Sequence, residues 1–154
     1  MRLKQNQIIV GFAGFTGLIT ACLAVVVALG DRTPPAPPYH EALGEEVLRQ
    51  RLRDPALVEH GKQLYVQNCT LCHGVQGQGL TGPNLRDDFW INGSDARHIV
   101  ESIANGNPAK GMAPWQRVFA ADKLHALAAY IVSLHGSEDG HGKAAEGTRQ
   151  PIAW

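Results

Sequence analysis

The stretch Cys69-Thr70-Leu71-Cys72-His73 contains a Cys-x-x-Cys-His motif, the attachment signature of c-type haem. The spacing has a chemical reason. Each thiol can form a thioether to one of the two haem vinyl groups, and the histidine that follows is carried beneath the ring, where its imidazole can reach the iron. The motif therefore predicts one covalent haem c, attached through Cys69 and Cys72, with His73 as an iron ligand.

Two other uses of a paired cysteine motif are less compatible with the flanking sequence. A thioredoxin-like redox pair follows a strand and opens a helix, whereas here a helical pattern precedes the motif and a glycine-rich loop follows it. A structural zinc site needs further ligands, and the one remaining cysteine, Cys22, lies in an apolar N-terminal segment. Covalent haem is the favoured interpretation.

Length and composition exclude several classes of protein. The chain has 154 residues, with 44% hydrophobic and 18% charged residues, as expected of one globular domain. There are 14 basic residues (Lys and Arg) and 14 acidic residues (Asp and Glu), so there is no basic excess to indicate nucleic-acid binding. Three cysteines are too few and too unevenly spaced for a disulfide scaffold.

The N-terminal segment has the pattern of a membrane-spanning helix. No charged residue occurs from Ile8 to Leu29, and ~20 apolar residues suffice to span a bilayer. Arg2 and Lys4 precede this segment, which predicts a cytoplasmic N-terminus and places everything after Asp31 on the outer side. Thioether attachment in bacteria takes place on that side, so the topology agrees with the haem motif.

Two alternatives to a retained helix remain open. The residues 28–30, Ala-Leu-Gly, are a fair signal-peptidase site, although cleaved signals have shorter apolar regions. The run from Ile19 to Cys22 resembles a lipobox, which would make Cys22 a lipidated N-terminus. Because the sequence stays apolar up to Leu29, the retained helix is favoured. Small residues on one face of this helix, from Ala13 to Ala28, are consistent with a neighbouring helix of a partner subunit.

The sequence divides into four segments. Residues 1–30 are the cytoplasmic tip and anchor, 31–53 a proline-rich linker and a solvated lead-in helix, 54–136 the compact domain, and 137–154 a polar tail. The tail is predicted to be either disordered or folded on a neighbouring subunit, with Trp154 as an anchor.

Three helices are predicted in the compact domain, and no strand. Asp54-Pro55 opens the first helix, which continues to about Asn68. Ser94-Asp95 opens the second and Gly106 ends it, and the third extends from Asp122 to Leu134. The intervening loops are expected to carry solvated charges at 86–88 and pocket-lining side chains at 89–91.

The region 55–135 resembles the class I cytochrome c family. The resemblance rests on Gly61-Lys62-Gln63-Leu64-Tyr65 before the haem motif and Thr81-Gly82-Pro83-Asn84-Leu85 after it. It implies an all-α cytochrome c fold, with helices around one covalent haem, preceded here by the transmembrane helix. It also implies that the Pro83 carbonyl accepts a hydrogen bond from Nδ1 of His73, and that Gly61 and Tyr65 cross the last helix at Leu127 and Tyr130.

Met112 is the candidate for the sixth iron ligand. The chain has two methionines, and Met1 lies at the cytoplasmic end of the anchor. Met112 lies in a loop before the last helix, where the family has its distal methionine. A gap-filling methionine and a bis-histidine haem using His60 or His135 are the alternatives. A thioether ligand raises the reduction potential and occupies the site that a peroxidase or a haem sensor leaves open.

The expected function is therefore electron transfer on the outer side of the membrane. The resemblance implies a cytochrome c subunit of a respiratory complex, either a terminal oxidase or a quinol-oxidising complex, with other subunits or redox proteins as partners. A tethered shuttle between complexes is the alternative. Neither bond-breaking catalysis nor a small-molecule substrate is expected.

Overall fold

The structure, a computed structural model of the chain, describes residues 37–152 and residue 154. The predicted membrane helix, the lipobox and most of the proline spacer lie outside the described residues. Within the described residues, no helix combines the length and the apolar character that a membrane crossing requires.

The described chain is mostly helical. Its elements, in chain order, are the helices α1 (Glu45–Leu52), α2 (Pro55–Asn68) and α3 (Thr70–His73), strand β1 (Phe89–Trp90), helix α4 (Ala96–Asn105), the one-turn 3-10 helices Pro108–Lys110 and Trp115–Arg117, helix α5 (Ala121–Leu134) and strand β2 (Thr148–Arg149).

The three predicted helices are confirmed as α2, α4 and α5, and local capping explains two of their starts. The Asp54 carboxylate accepts a hydrogen bond from the Ala56 N–H at 2.9 Å, and Pro55 occupies the first helical position. Asp95 accepts from the His98 N–H at 3.0 Å. Gly106, with φ of 61°, ends α4 as predicted.

Helices α2 and α5 cross in direct backbone contact at Gly61. A Cβ atom at this position would lie 1.8 Å from the Ala126 carbonyl oxygen, so only glycine allows the approach. One turn later, the rings of Tyr65 and Tyr130 pack at 5.1 Å between centroids. The predicted crossing is present, with Ala126 as the backbone contact of Gly61. It fixes the angle at which α2 presents the cysteine motif.

Helix α1 is not the solvated lead-in helix that its charges predict. Leu48 and Leu52 are buried in the core at 0% and 1% exposure. Glu45 at the start of α1 accepts hydrogen bonds from the backbone N–H groups of Ala96 and Arg97, which are free donors at the start of α4. The charged residues of α1 lie on one side of the helix, while Leu48 and Leu52, four residues apart, pack into the core from the other side.

The C-terminal tail packs on the same domain, contrary to both predictions for it. Strand β2 pairs antiparallel with β1, with Phe89 opposite Arg149. Each strand has two residues, too few to show the alternating pattern by which a strand can be predicted from the sequence. Trp154 lies under the guanidinium groups of Arg49 and Arg53, at 5.7 and 5.5 Å from its ring. We call residues 137–152 the C-terminal strap.

Candidate functional site

The cysteine motif is one turn of helix at the end of α2. Cys69 caps α2, and its carbonyl accepts hydrogen bonds from the N–H groups of Cys72 and His73 at 3.2 and 2.9 Å. Gly74, with φ of 80°, ends the turn, and its carbonyl accepts from the Tyr65 hydroxyl at 2.7 Å. Because residues three apart share a helix face, the turn presents the two cysteines to the same side.

His73 is held in one tautomer by the loop behind it. Its Nδ1 lies 3.0 Å from the Pro83 carbonyl oxygen, which can only accept, so Nδ1 carries the proton and Nε2 keeps its lone pair. The hydrogen bond that the resemblance implies is present. A Cβ at position 82 would lie 2.8 Å from the His73 ring, so only a glycine at this position lets the loop pack against the imidazole.

The environment of His73 favours the neutral imidazole. Burial lowers the pKa of His73 more than the hydrogen bond to Pro83 raises it, and the positive charge of Lys143 lowers it further. A neutral imidazole with a free Nε2 lone pair is the form that binds a metal ion.

Met112 is placed by a tight loop between the two 3-10 helices. Asn107 and Met112 exchange two backbone hydrogen bonds, at 2.9 and 3.0 Å, around the 3-10 turn Pro108–Lys110. Gly111 closes this turn in the left-handed conformation, with φ of 85°. Gly106 lies against the Ala113 backbone, where a Cβ would lie 2.3 Å from the carbonyl oxygen.

All five predicted site residues line one cavity of about 420 Å³. They come from three separate parts of the chain: the motif turn, the loop behind His73 and the Met112 loop. Phe89, Trp90 and Ile91 also line the cavity, as predicted, together with apolar side chains from α4 and α5. The predicted residues are Cys69, Cys72, His73, Pro83 and Met112.

The cavity suits a covalently bound, mostly apolar group with a polar edge. Its two cysteines are free thiols, and burial raises the pKa of the Cys69 thiol to about 11, with a smaller contribution from Cys72. The indole N–H of Trp90 is buried without a hydrogen-bond partner, so it can donate to a polar atom of an occupant. Within the described residues, no group of three or more His, Cys, Asp or Glu side chains is placed to hold a metal ion.

The two histidines of the bis-histidine alternative are not in the wall of this cavity. Nε2 of His135 lies 3.0 Å from Asp88, and its ring stacks on Trp90 at 6.3 Å between centroids. His60 is exposed on α2.

Arg86 is a residue whose position sequence reasoning missed. The charges at 86–88 are predicted to be solvated, yet Arg86 is only 5% exposed. Its guanidinium makes a two-pronged ion pair with Asp139, at 2.7 and 3.2 Å, and the neighbouring Asn84 donates to Glu138. Both acceptors belong to the C-terminal strap, 53 residues or more along the chain, so no local pattern could have indicated these contacts.

The helices, the crossing at Gly61 and the cavity define a cytochrome c domain. Residues 56–131 match the family model described as cytochrome c oxidase, cbb3-type, subunit III. Among solved structures, cytochrome cL of Methylophaga aminisulfidivorans has a TM-score of 0.52 at 22% identity, covering 60% of this chain and 68% of that one. This likeness supports the fold.

Curated relatives are subunits of one type of oxidase. The chain is 36% identical over 81 residues to the cbb3-type cytochrome c oxidase subunit FixP of Bradyrhizobium diazoefficiens, covering 51% of this chain and 28% of the relative. It is 29% identical over 121 residues to FixP of Rhizobium meliloti, covering 70% of this chain and 41% of the relative. Subunit CcoP of Azospirillum sp. is 31% identical over 100 residues, covering 56% of this chain and 34% of the relative. The chain thus spans less than half the length of these relatives.

Proposed function

We propose that this chain is a membrane-anchored, mono-haem c-type cytochrome that carries single electrons as a subunit of a respiratory oxidase complex of the cbb3 type. The observation that carries the proposal is the convergence of Cys69, Cys72, His73 and Met112 on one cavity. The names of the relatives favour a terminal oxidase over a quinol-oxidising complex.

Each site residue has a distinct role in this proposal. Cys69 and Cys72 would hold haem c through thioether bonds, and haem c would supply a reversible one-electron change of its iron. His73 would bind the iron through Nε2, and the Pro83 carbonyl fixes its tautomer and raises its basicity. Met112 would bind the iron through its sulfur. With His73 and Met112 both serving as iron ligands, electron transfer is favoured over peroxidase or sensor chemistry.

The lead-in segment favours a fixed subunit over a tethered shuttle. The backbone N–H of Tyr39 donates to the Asn105 side chain at 2.6 Å, and Glu41 pairs with buried His125 at 2.6 Å. The segment is therefore attached to the domain from Tyr39 onward. Only about ten residues separate it from Leu29, the predicted end of the membrane helix, and they can reach at most ~35 Å. In this proposal residues 1–30 anchor the chain and the haem domain lies on the outer side.

The haem assignment is tested by spectroscopy of the chain matured with its cofactor. We expect the wild type to retain haem on a denaturing gel, and Cys69→Ser with Cys72→Ser to lose it. Met112→Ala should keep covalent haem but lose the long-wavelength absorption band of methionine–iron ligation. The exposed Val118→Ala serves as the control. An unchanged band in Met112→Ala would contradict the proposed ligand.

Membership of a complex is tested on native membranes. After extraction in mild detergent, blue-native electrophoresis with haem staining and mass spectrometry should place this chain in a large band with oxidase subunits. A band near its own mass, persisting after cross-linking, would favour the tethered shuttle instead.

A further inference from the structure

The C-terminal strap brings a charged pair to the loop behind His73. The Lys143 backbone N–H donates to the Gln78 carbonyl at 2.7 Å. Its ammonium group lies 3.1 Å from the Thr81 carbonyl oxygen and 3.4 Å from that of Gly82. Those two peptide groups directly precede Pro83, whose carbonyl holds His73. The Lys143 ammonium is therefore positioned two residues or fewer from the acceptor of the histidine hydrogen bond.

Glu146 supplies the opposite charge. Its carboxylate lies 2.7 Å from the Lys143 ammonium, and Glu146 itself lines the cavity, as does Lys110 from the Met112 loop. The two side chains of the pair are 33% and 38% exposed, so solvent screens their fields only in part. The Lys143 ammonium contacts the carbonyl of Gly82, the residue that lies against the His73 ring, so its field acts on the histidine side of the cavity.

Resting on the proposed function, we propose that Lys143 and Glu146 are positioning residues that set the reduction potential from the His73 side, with opposite signs. Oxidised haem carries one more positive charge than reduced haem. A cation behind the histidine therefore disfavours the oxidised state and raises the potential, and an anion lowers it. The strap thus contributes to the electron-transfer site although it belongs to none of the ligand-bearing loops.

The charge of Lys143 can be removed while the C-terminal strap stays attached to the domain. The backbone bond from Lys143 to Gln78, the pairing of β2 with β1 and the Arg86–Asp139 ion pair do not depend on the Lys143 side chain. A substitution of this side chain removes a charge and two hydrogen bonds to carbonyls while the strap keeps its other contacts.

The test is a spectroelectrochemical titration of the full-length haem-loaded protein. We expect Lys143→Gln to shift the midpoint potential to lower values, Lys143→Arg to leave it near that of the wild type, and Glu146→Gln to shift it upward. Lys62→Gln, an exposed lysine outside the cavity wall, removes the same net charge and should have little effect. Equal haem content and an intact methionine–iron band establish that the variants are comparable.

Loss of strap packing alone would move Lys143→Gln and Glu146→Gln in the same direction, and this outcome overturns the proposal. So does an unchanged potential in both variants. If Lys143→Gln fails to fold, the midpoint potential of Glu146→Gln tests the proposal by itself: an upward shift supports the proposal, and no shift overturns it. A wild type without covalent haem or without the methionine–iron band would refute the proposed function itself. An intact wild type with unshifted variants refutes only the role of the charged pair.

Discussion

Arg86 places a permanent positive charge in the interior, three residues after Pro83 in the same loop, and its partner Asp139 is on the C-terminal strap. The guanidinium is nearly inaccessible, whereas the Asp139 side chain is about half exposed. A buried charge is tolerated when it is paired and hydrogen-bonded, and removal of one partner leaves an uncompensated charge in a low-dielectric environment. The pair therefore contributes to the attachment of the strap to the loop that carries Pro83.

The Arg86–Asp139 pair should make stability depend on acid pH. The hydrogen bond from Arg86 lowers the pKa of Asp139 from 3.8 to about 2, assisted by the backbone N–H of His141. A lowered carboxyl pKa means that the stabilisation is complete above the unfolded pKa and is lost as the pH falls from about 4 toward 2. We expect the free energy of unfolding of the wild type to fall more steeply over this range than that of Asp139→Asn.

Denaturant titrations at several pH values measure this difference. Asp122→Asn is the control, because it removes a carboxylate from the exposed ion pair with Arg51, a type of pair that contributes little. Identical pH dependence in the wild type and Asp139→Asn would show that the ion pair does not stabilise the strap.

At the scale of elements, the crossing of α2 and α5 determines where the cysteine motif lies. The two helices touch backbone to backbone at Gly61, and the Tyr65–Tyr130 contact follows one turn later. Tyr65 then holds the end of the motif turn through its bond to Gly74. The orientation of the motif turn thus depends on a single position without a side chain.

Gly61→Ala should destabilise the domain strongly. In an isolated helix this change would be favourable by ~1 kcal/mol. Here the added methyl meets the Ala126 carbonyl, which cannot rotate away, so the cost should reach or exceed the ~1–3 kcal/mol of ordinary over-packing. Chemical denaturation measures the change. The control is Gly44→Ala, where a Cβ meets nothing within 4 Å, and a stability of Gly61→Ala equal to this control would refute the crossing.

At the scale of the whole molecule, a polar network attaches the lead-in segment to the domain. Arg51 donates from Nε to Nδ1 of His125 at 2.9 Å, which leaves the proton on Nε2 for Glu41. Burial would raise the pKa of Glu41, but the hydrogen bonds from the Leu43 N–H and from His125 outweigh it, and the pKa is lowered. Through this network the lead-in segment and α1 are joined to α5, in addition to the contacts among the three predicted helices.

Cys22→Ser separates the two proposed modes of membrane attachment. If the apolar segment is a retained helix, the variant should stay in the membrane fraction after alkaline carbonate washing, because its anchorage needs no lipid. The intact mass of the wild type should include the N-terminal segment and one haem. Ala21→Ser is the matched control. Release of Cys22→Ser alone would indicate a lipid anchor, and a wild-type mass without the segment would indicate cleavage.

Local signals explain the parts of this domain that the sequence alone determined. The cysteine motif, the caps at Asp54 and Asp95 and the helix-ending Gly106 each act within a few residues, so their effects can be predicted without the rest of the chain. The resemblance added the roles of Pro83 and Met112, and the structure brings both to the cavity with the motif.

Only the tertiary structure decided how the flanking segments are used. The burial of α1, the Arg86–Asp139 pair, the pairing of β1 with β2 and the position of Lys143 near the His73 loop all join residues that are tens of positions apart. Polar segments such as 41–53 and 137–152 have compositions that suit either solvent or a domain surface. Which of the two they meet depends on partners that come near only after the helices have packed.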